Sequence, residues 1–180
     1  MVNSFTVNAI VIGRRNAGEA DRMVTLFTDR EGKLVVRAKG VRKIASKRKG
    51  YLELFNTIRA HIHQKDHAAI LGEVRLVSDR SFMKKDMKRL RIAYHLTELV
   101  ERLTGDHQPA RDAYELLHRA LSSIASHSWN EEDRWTLAFE SKLLKLLGFG
   151  VPSEDLVDIH EYIEELTDRR LRSREILSEM

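Results

Sequence analysis

Arg37, Lys39, Arg42, Lys43, Lys47, Arg48 and Lys49 put seven cations into thirteen residues, with no acid among them. Gly40, Ser46 and Gly50 punctuate the run and let the backbone come close to whatever it binds. A phosphate polymer suits such a segment, because each phosphate neutralised by Lys or Arg releases counterions and makes binding salt-dependent. Arg14 and Arg15, just after the apolar stretch Phe5–Ile12, extend the cationic set. A merely solvated loop has the same composition, so the surrounding charge has to separate the two readings. Residues 1–80 hold 16 Lys+Arg against 8 Asp+Glu, whereas residues 81–180 hold 15 against 19. A cationic surplus gathered on one small unit is the electrostatic footprint of nucleic-acid binding.

Other candidate groups carry less. Tyr51 and Phe55 directly follow the basic run and suit base stacking beside a cationic groove, with core packing as the competing reading. Phe5 and Phe27 alternate with core-type residues and are expected to be buried. His61, His63 and His67 resemble a ligand cluster, but only Asp66 stands at a supporting spacing, so surface imidazoles are the expectation and no metal site is assigned. The pairs Glu131–Glu132 and Glu164–Glu165 read as a helix start and a solvated helix face. No phosphate-loop, dinucleotide, zinc-protease or nucleophile-elbow motif is present. With no Cys among the 180 residues, thiol nucleophiles, disulfides and cysteine-ligated metals are excluded. A non-enzymatic protein without a cofactor is expected.

The elements that hold these residues fall into two regimes. Up to about residue 78 the apolar residues come in short β-branched runs: Phe5–Ile12, Met23–Thr28, Leu34–Ala38, Leu52–Ile62 and Ile70–Val77. Asp29–Gly32 between the second and third reads as a hairpin turn. Five strands with no helical repeat between them predict a small barrel, with the basic run as a loop on its surface. After Ser81 the period becomes helical. Ala93, Leu96, Val100 and Leu103 share one face, with Met83, Met87, Leu90 and Tyr94 on an adjoining stripe. A second helix follows Pro109, with Ala113, Leu116, Leu117, Ala120, Leu121 and Ile124 in phase. A third starts at Asn130, turns Trp135, Ala138, Phe139, Leu143 and Leu146 inward and ends at Gly148. Ser153 caps a fourth carrying Leu156, Ile159, Ile163 and Leu166, and a short fifth begins at Ser173. Charge and period together put the boundary near residue 80, giving a nucleic-acid-binding domain over 1–80 and a partner-binding helical domain over 81–180. Lys84, Lys85, Lys88, Arg89 and Arg91 make a basic rim for an acidic peptide on the latter. No apolar run reaches the roughly 20 residues of a membrane span, and the charges of the N-terminal stretch follow its apolar part, unlike a signal peptide. A soluble intracellular protein is expected.

Three stretches resemble the RecO family of bacterial recombination mediators. The first is Gly18-Glu-Ala-Asp-Arg-Met-Val-Thr-Leu-Phe-Thr28, followed by Glu31-Gly-Lys-Leu34 and Ala38-Lys-Gly-Val-Arg-Lys43 with Ser46. The second is Lys142–Phe149 with Pro152, and the third is Arg170–Arg174 with Ile176 and Leu177. The resemblance implies an α+β protein: an N-terminal five-stranded OB-fold barrel followed by a C-terminal all-helical domain. It implies binding of single- and double-stranded DNA, annealing of complementary strands, and partnership with RecR. It also implies contact with the acidic tail of the single-strand-binding protein, help for RecA on coated strands, and a cytoplasmic, nucleoid-associated location. Many members carry a four-cysteine zinc module before the C-terminal segment, and this chain resembles a short member without it.

The residues expected to contact DNA are Arg14, Arg15, Arg37, Lys39, Arg42, Lys43, Lys47, Arg48, Lys49 and Tyr51. Two other readings fit the composition: a basic OB-fold RNA-binding module, and an adaptor whose loop grips acidic proteins and no nucleic acid.

Overall fold

The computed structural model describes residues 3–44, 46–65, 68–124, 132–150, 159–168 and 170–171. Alternating apolar residues form five strands: β1 (Asn3–Ala17), β2 (Asp21–Thr28), β3 (Gly32–Ala38), β4 (Thr57–Lys65) and β5 (Ala68–Ser78). They close into a barrel in the order β1-β2-β3-β5-β4. All pairings are antiparallel except β3–β5, which meet parallel at Arg37 and Ile70. Such a five-stranded Greek-key barrel is the OB-fold. Closure depends on β1, whose 15 residues pair with β4 through Asn3–Ile10 and with β2 through Ala9–Ala17. A register shift between Val11 and Gly13 bends the strand between its two partners.

Val7, Ala9, Val11, Val24, Leu26, Leu34, Val36 and Ala38 point into the barrel and form its core with Ile58, Ala60 and Ile62 of β4. Phe27 is fully buried, as expected, but its ring packs near Tyr114, 6.2 Å between centroids. Tyr114 ends the segment 105–114, which clusters with the barrel although it follows the first long helix. Phe5 is partly buried against the barrel core.

The run Leu52–Ile62 is not one strand. Residues Arg48–Tyr51 form a single helical turn, α1, and β4 begins only at Thr57. Leu52 is fully buried in the barrel core, and Phe55, at φ +73°, is 1% exposed. The chain there exchanges backbone hydrogen bonds with β1, Phe55 N to Val11 O and Val11 N to Asn56 O, at 2.8 and 3.0 Å. Arg80, itself buried, donates from its guanidinium to Phe55 O (3.0 Å) and Thr57 Oγ1 (2.6 Å), while Asn56 Oδ1 accepts from Arg80 N (2.8 Å). Burial lowers the Arg80 pKa, and these acceptors replace the lost water.

The second unit contains residues 83–104 and 115–180. Its helices are α2 (Met87–Leu103), most of α3 (Arg111–Ser123), α4 (Glu132–Leu146) and α5 (Ile159–Thr167). Asp86 caps α2, its side chain accepting from Arg89 N. Every residue of the α3 stripe, Ala113 through Ile124, is buried. On α2 the buried face is Ile92, Ala93, Leu96, Leu99 and Val100, while Met87 and Tyr94 of the expected adjoining stripe are exposed. On α4 Phe139 and Leu143 are buried as expected. Ala138 and Leu146, however, lie outward, and Leu144 is buried instead. The helix ends at Gly148, where Phe149 N reaches back to Leu144 O (2.9 Å) and Gly148 N to Lys145 O (3.2 Å). Ile163 is the buried residue of α5, with Ile159 half-buried and Leu166 exposed. The expected starts at Asn130, Ser153 and Ser173, and Leu156, lie outside the described residues.

Candidate nucleic-acid interface

The basic run leaves the end of β3 and crosses to α1, and its backbone is stitched down at several points. Val41 is fully buried in the barrel core, anchoring the middle of the loop. Arg42 N donates to Ala20 O at 2.9 Å, and Lys43, Ser46 and Lys49 make successive short-range backbone bonds to Gly40, Lys43 and Ser46. Asp21, the first residue of β2, organises the entry: its Oδ1 accepts from Gly40 N (2.8 Å) and its Oδ2 from Arg37 Nε (2.7 Å). These bonds from the Gly40 amide and the Arg37 guanidinium hold the Asp21 carboxyl below the usual aspartate range. Nothing in the basic run announces this acid, which comes from sixteen residues earlier than Arg37.

The nine cations among the ten expected contact residues divide into two groups. Four arginines have internal partners. Arg14 pairs with Glu53, Arg37 with Asp21, Arg42 donates to Gly18 O (2.7 Å), and Arg48 spans Lys39 O (2.8 Å) and Gly72 O (3.3 Å). Arg15, Lys39, Lys43, Lys47 and Lys49 are exposed. Arg15, Lys43, Lys47 and Lys49 have no ion-pair partner among the described residues. The division has a physical cause. A guanidinium offers several donors in a rigid fork and can bridge backbone carbonyls, whereas a lysine keeps its charge in water; Arg15, on the outer face of β1, is the one arginine of the set that stays with the lysines.

Register extends the surface across the strands. Arg15 pairs with Met23 and Met23 with Arg37, so the two arginines lie on one outer face, two strand spacings or about 10 Å apart. Tyr51 is half-buried and packs against the barrel core. Phe55 is not available for stacking: at 1% exposure it belongs to the packing described above, which corrects the expectation from its position after the basic run.

His61 and His63 share an outer face of β4, rings edge to face at 4.7 Å. Each ring Nδ1 is hydrogen-bonded to a hydroxyl of β1, Thr6 for His61 (3.0 Å) and Ser4 for His63 (2.9 Å). They join no three-residue ligand group among the described residues. Asp66 and His67 lie outside those residues.

Sequence comparison agrees with the two-part organisation. The family model for the N-terminal part of recombination protein O matches residues 1–80, and that for its C-terminal part matches residues 84–165. The DNA repair protein RecO of Symbiobacterium thermophilum is 34% identical over 149 residues, covering 81% of this chain and 57% of that protein. The RecO of Pelotomaculum thermopropionicum is 28% identical over 145 residues, covering 81% and 56%. That of Roseiflexus sp. is 28% identical over 165 residues, covering 92% and 57%. The chain therefore spans a little over half the length of these curated relatives. With an OB-fold barrel, a helical unit and both halves matched in order, the chain belongs to the RecO family.

Proposed function

We propose that the chain is a DNA repair and recombination mediator. It binds single- and double-stranded DNA through the phosphate backbone and anneals complementary strands. The observation that supports this reading is a set of exposed cations without ion-pair partners among the described residues, Lys43 and Lys47 between β3 and α1 and Lys49 on α1, with Lys39 and Arg15 exposed as well. Cations without internal partners are available to phosphates at no cost in broken ion pairs. Arg14, Arg37, Arg42, Arg48 and Tyr51 complete the proposed contact set, the arginines through donors left over from their internal bonds.

Annealing follows from charge. Two strands repel through their phosphates, and a protein that neutralises part of each lowers that barrier without a nucleotide-driven step. The proposal includes RecR as a partner, contact of the helical unit with the acidic tail of the single-strand-binding protein, and help in loading RecA onto coated strands. Exposed Lys84, Lys85 and Lys88 supply charge of the right sign for that tail. The proposed setting is the bacterial cytoplasm, close to the nucleoid. Among the described residues no helix is long and apolar enough to cross a membrane.

Anisotropy titration of a labelled single-stranded DNA across a salt series tests the binding step. Log affinity should fall linearly with log salt, and unlabelled DNA should compete at least as well as matched RNA. Preferential competition by RNA would favour the RNA-module reading, and absence of strand binding at low salt would favour the protein adaptor.

A further inference from the structure

Three helices of the second unit bring together a group that the DNA reading does not use: His95 of α2, Glu140 of α4 and His160 of α5. Both imidazoles present Nε2 to the same carboxylate oxygen, Glu140 Oε1, at 2.5 Å from His95 and 2.9 Å from His160. The two rings stand edge to face with centroids 5.5 Å apart. One ligand atom from each residue fits within a sphere where all lie within 4.8 Å of one another.

Burial makes the arrangement informative. Glu140 is fully buried and the His95 side chain is 5% exposed. A carboxylate in that position is costly unless its charge and both oxygens are satisfied. Only Oε1 is satisfied; Oε2 is buried without a hydrogen-bond partner. The His160 side chain is 27% exposed, which leaves one side of the group open to solvent.

We propose that His95, Glu140 and His160 form a site for a borderline divalent cation, Zn2+ or a close analogue, that cross-links α2, α4 and α5. Two imidazole nitrogens and one carboxylate are a common donor set for Zn2+, with a water in the fourth, open position. Bonds of about 2.1 Å in a tetrahedral shell put donor atoms roughly 3.4 Å apart, so the contacts now at 2.5 and 2.9 Å would have to open by roughly 0.5–0.9 Å to admit the ion. Each imidazole would ligate through Nε2 once the proton there has passed to Nδ1 of the same ring or to solvent, while Glu140 supplies a carboxylate oxygen. This site is independent of the basic loop, and its test involves no nucleic acid.

Calorimetric titration of the full chain with Zn2+ after chelator treatment, paired with Co2+ absorption spectroscopy, decides it. One ion per chain is expected, with the ligand-field bands of four- or five-coordinate Co2+ and a raised unfolding temperature. Glu140→Gln and His160→Ala should each weaken the ion by at least about tenfold, since even second-shell changes reach that size. His160 is partly exposed, so its variant keeps the proposal testable if the buried Glu140→Gln misfolds. The double change His61→Ala/His63→Ala should leave binding intact. Absence of binding would overturn the proposal, as would binding that survives His160→Ala and disappears when His61 and His63 are removed.

Discussion

Changing Lys43, Lys47 and Lys49 together to Glu should lower single-strand affinity by about two orders of magnitude or more at low salt, and should flatten the salt dependence by about two logarithmic units of slope, from roughly 0.7 per lost phosphate contact. These three lysines are exposed and lack ion-pair partners among the described residues, so their reversal should remove the proposed phosphate contacts without breaking an internal ion pair. Unfolding stability should change by no more than about 0.5 kcal/mol, as for most surface substitutions. Arg48 differs from these lysines. Its guanidinium ties Lys39 O and Gly72 O together, so Arg48→Glu would disturb the loop and confuse lost contact with lost structure. Titration by anisotropy at several salt concentrations, beside denaturant unfolding, separates the two effects. An unchanged slope in the triple variant would remove the loop from the interface.

The second large effect concerns the fold that presents the loop. Gly32→Ala should destabilise the protein by about 3 kcal/mol or more, whereas Gly18→Ala should cost only about 1 kcal/mol. Both glycines have left-handed backbones, at φ +67° and +64°. They differ in their surroundings. A Cβ on Gly18 meets nothing within 4 Å, but one on Gly32 would lie 2.1 Å from the backbone oxygen of Gln108. That oxygen belongs to the 105–114 segment, which is also pinned to β3 by His107 N to Lys33 O (3.0 Å) and by the Lys33–Asp106 ion pair (3.4 Å). Ala at position 32 would therefore strain the hairpin and push the segment off the strand. The same hairpin is held from inside by Thr28, whose hydroxyl donates to Gly32 O and accepts from Glu31 N, both at 2.9 Å. Denaturant unfolding of the two variants side by side reads the steric part as their difference. Equal losses would show that the 105–114 segment yields freely.

How far these features can be read from the sequence depends on how local their causes are. The β2–β3 hairpin follows from alternating apolar residues around Asp29–Gly32, and the α3 stripe from helical spacing alone. The end of α4 at Gly148 is equally local. The run Leu52–Ile62 misleads because its apolar residues serve two purposes. Ile58, Ala60 and Ile62 alternate as a strand, while Leu52 enters the barrel core and Phe55 is buried from the turn that precedes it. Composition cannot tell those apart without the β1 backbone they bind. The basic run is visible as charge, but its partners are not. Asp21 and Glu53 reach Arg37 and Arg14 through strand pairing, so which cations stay free is a tertiary property. The His95–Glu140–His160 group is harder still, because its members are up to 65 residues apart and each alone resembles an ordinary helix residue. The segment 105–114 has the same character, a link back to the barrel that no periodicity reveals.

If these cations neutralise two strands at once, as proposed, the rate at which complementary oligonucleotides anneal reads it directly. The protein should accelerate annealing at low salt, with the acceleration falling steeply as salt rises and disappearing in the Lys43/Lys47/Lys49→Glu variant at equal concentration. Acceleration that is indifferent to salt, or that persists undiminished in the triple variant, would contradict it.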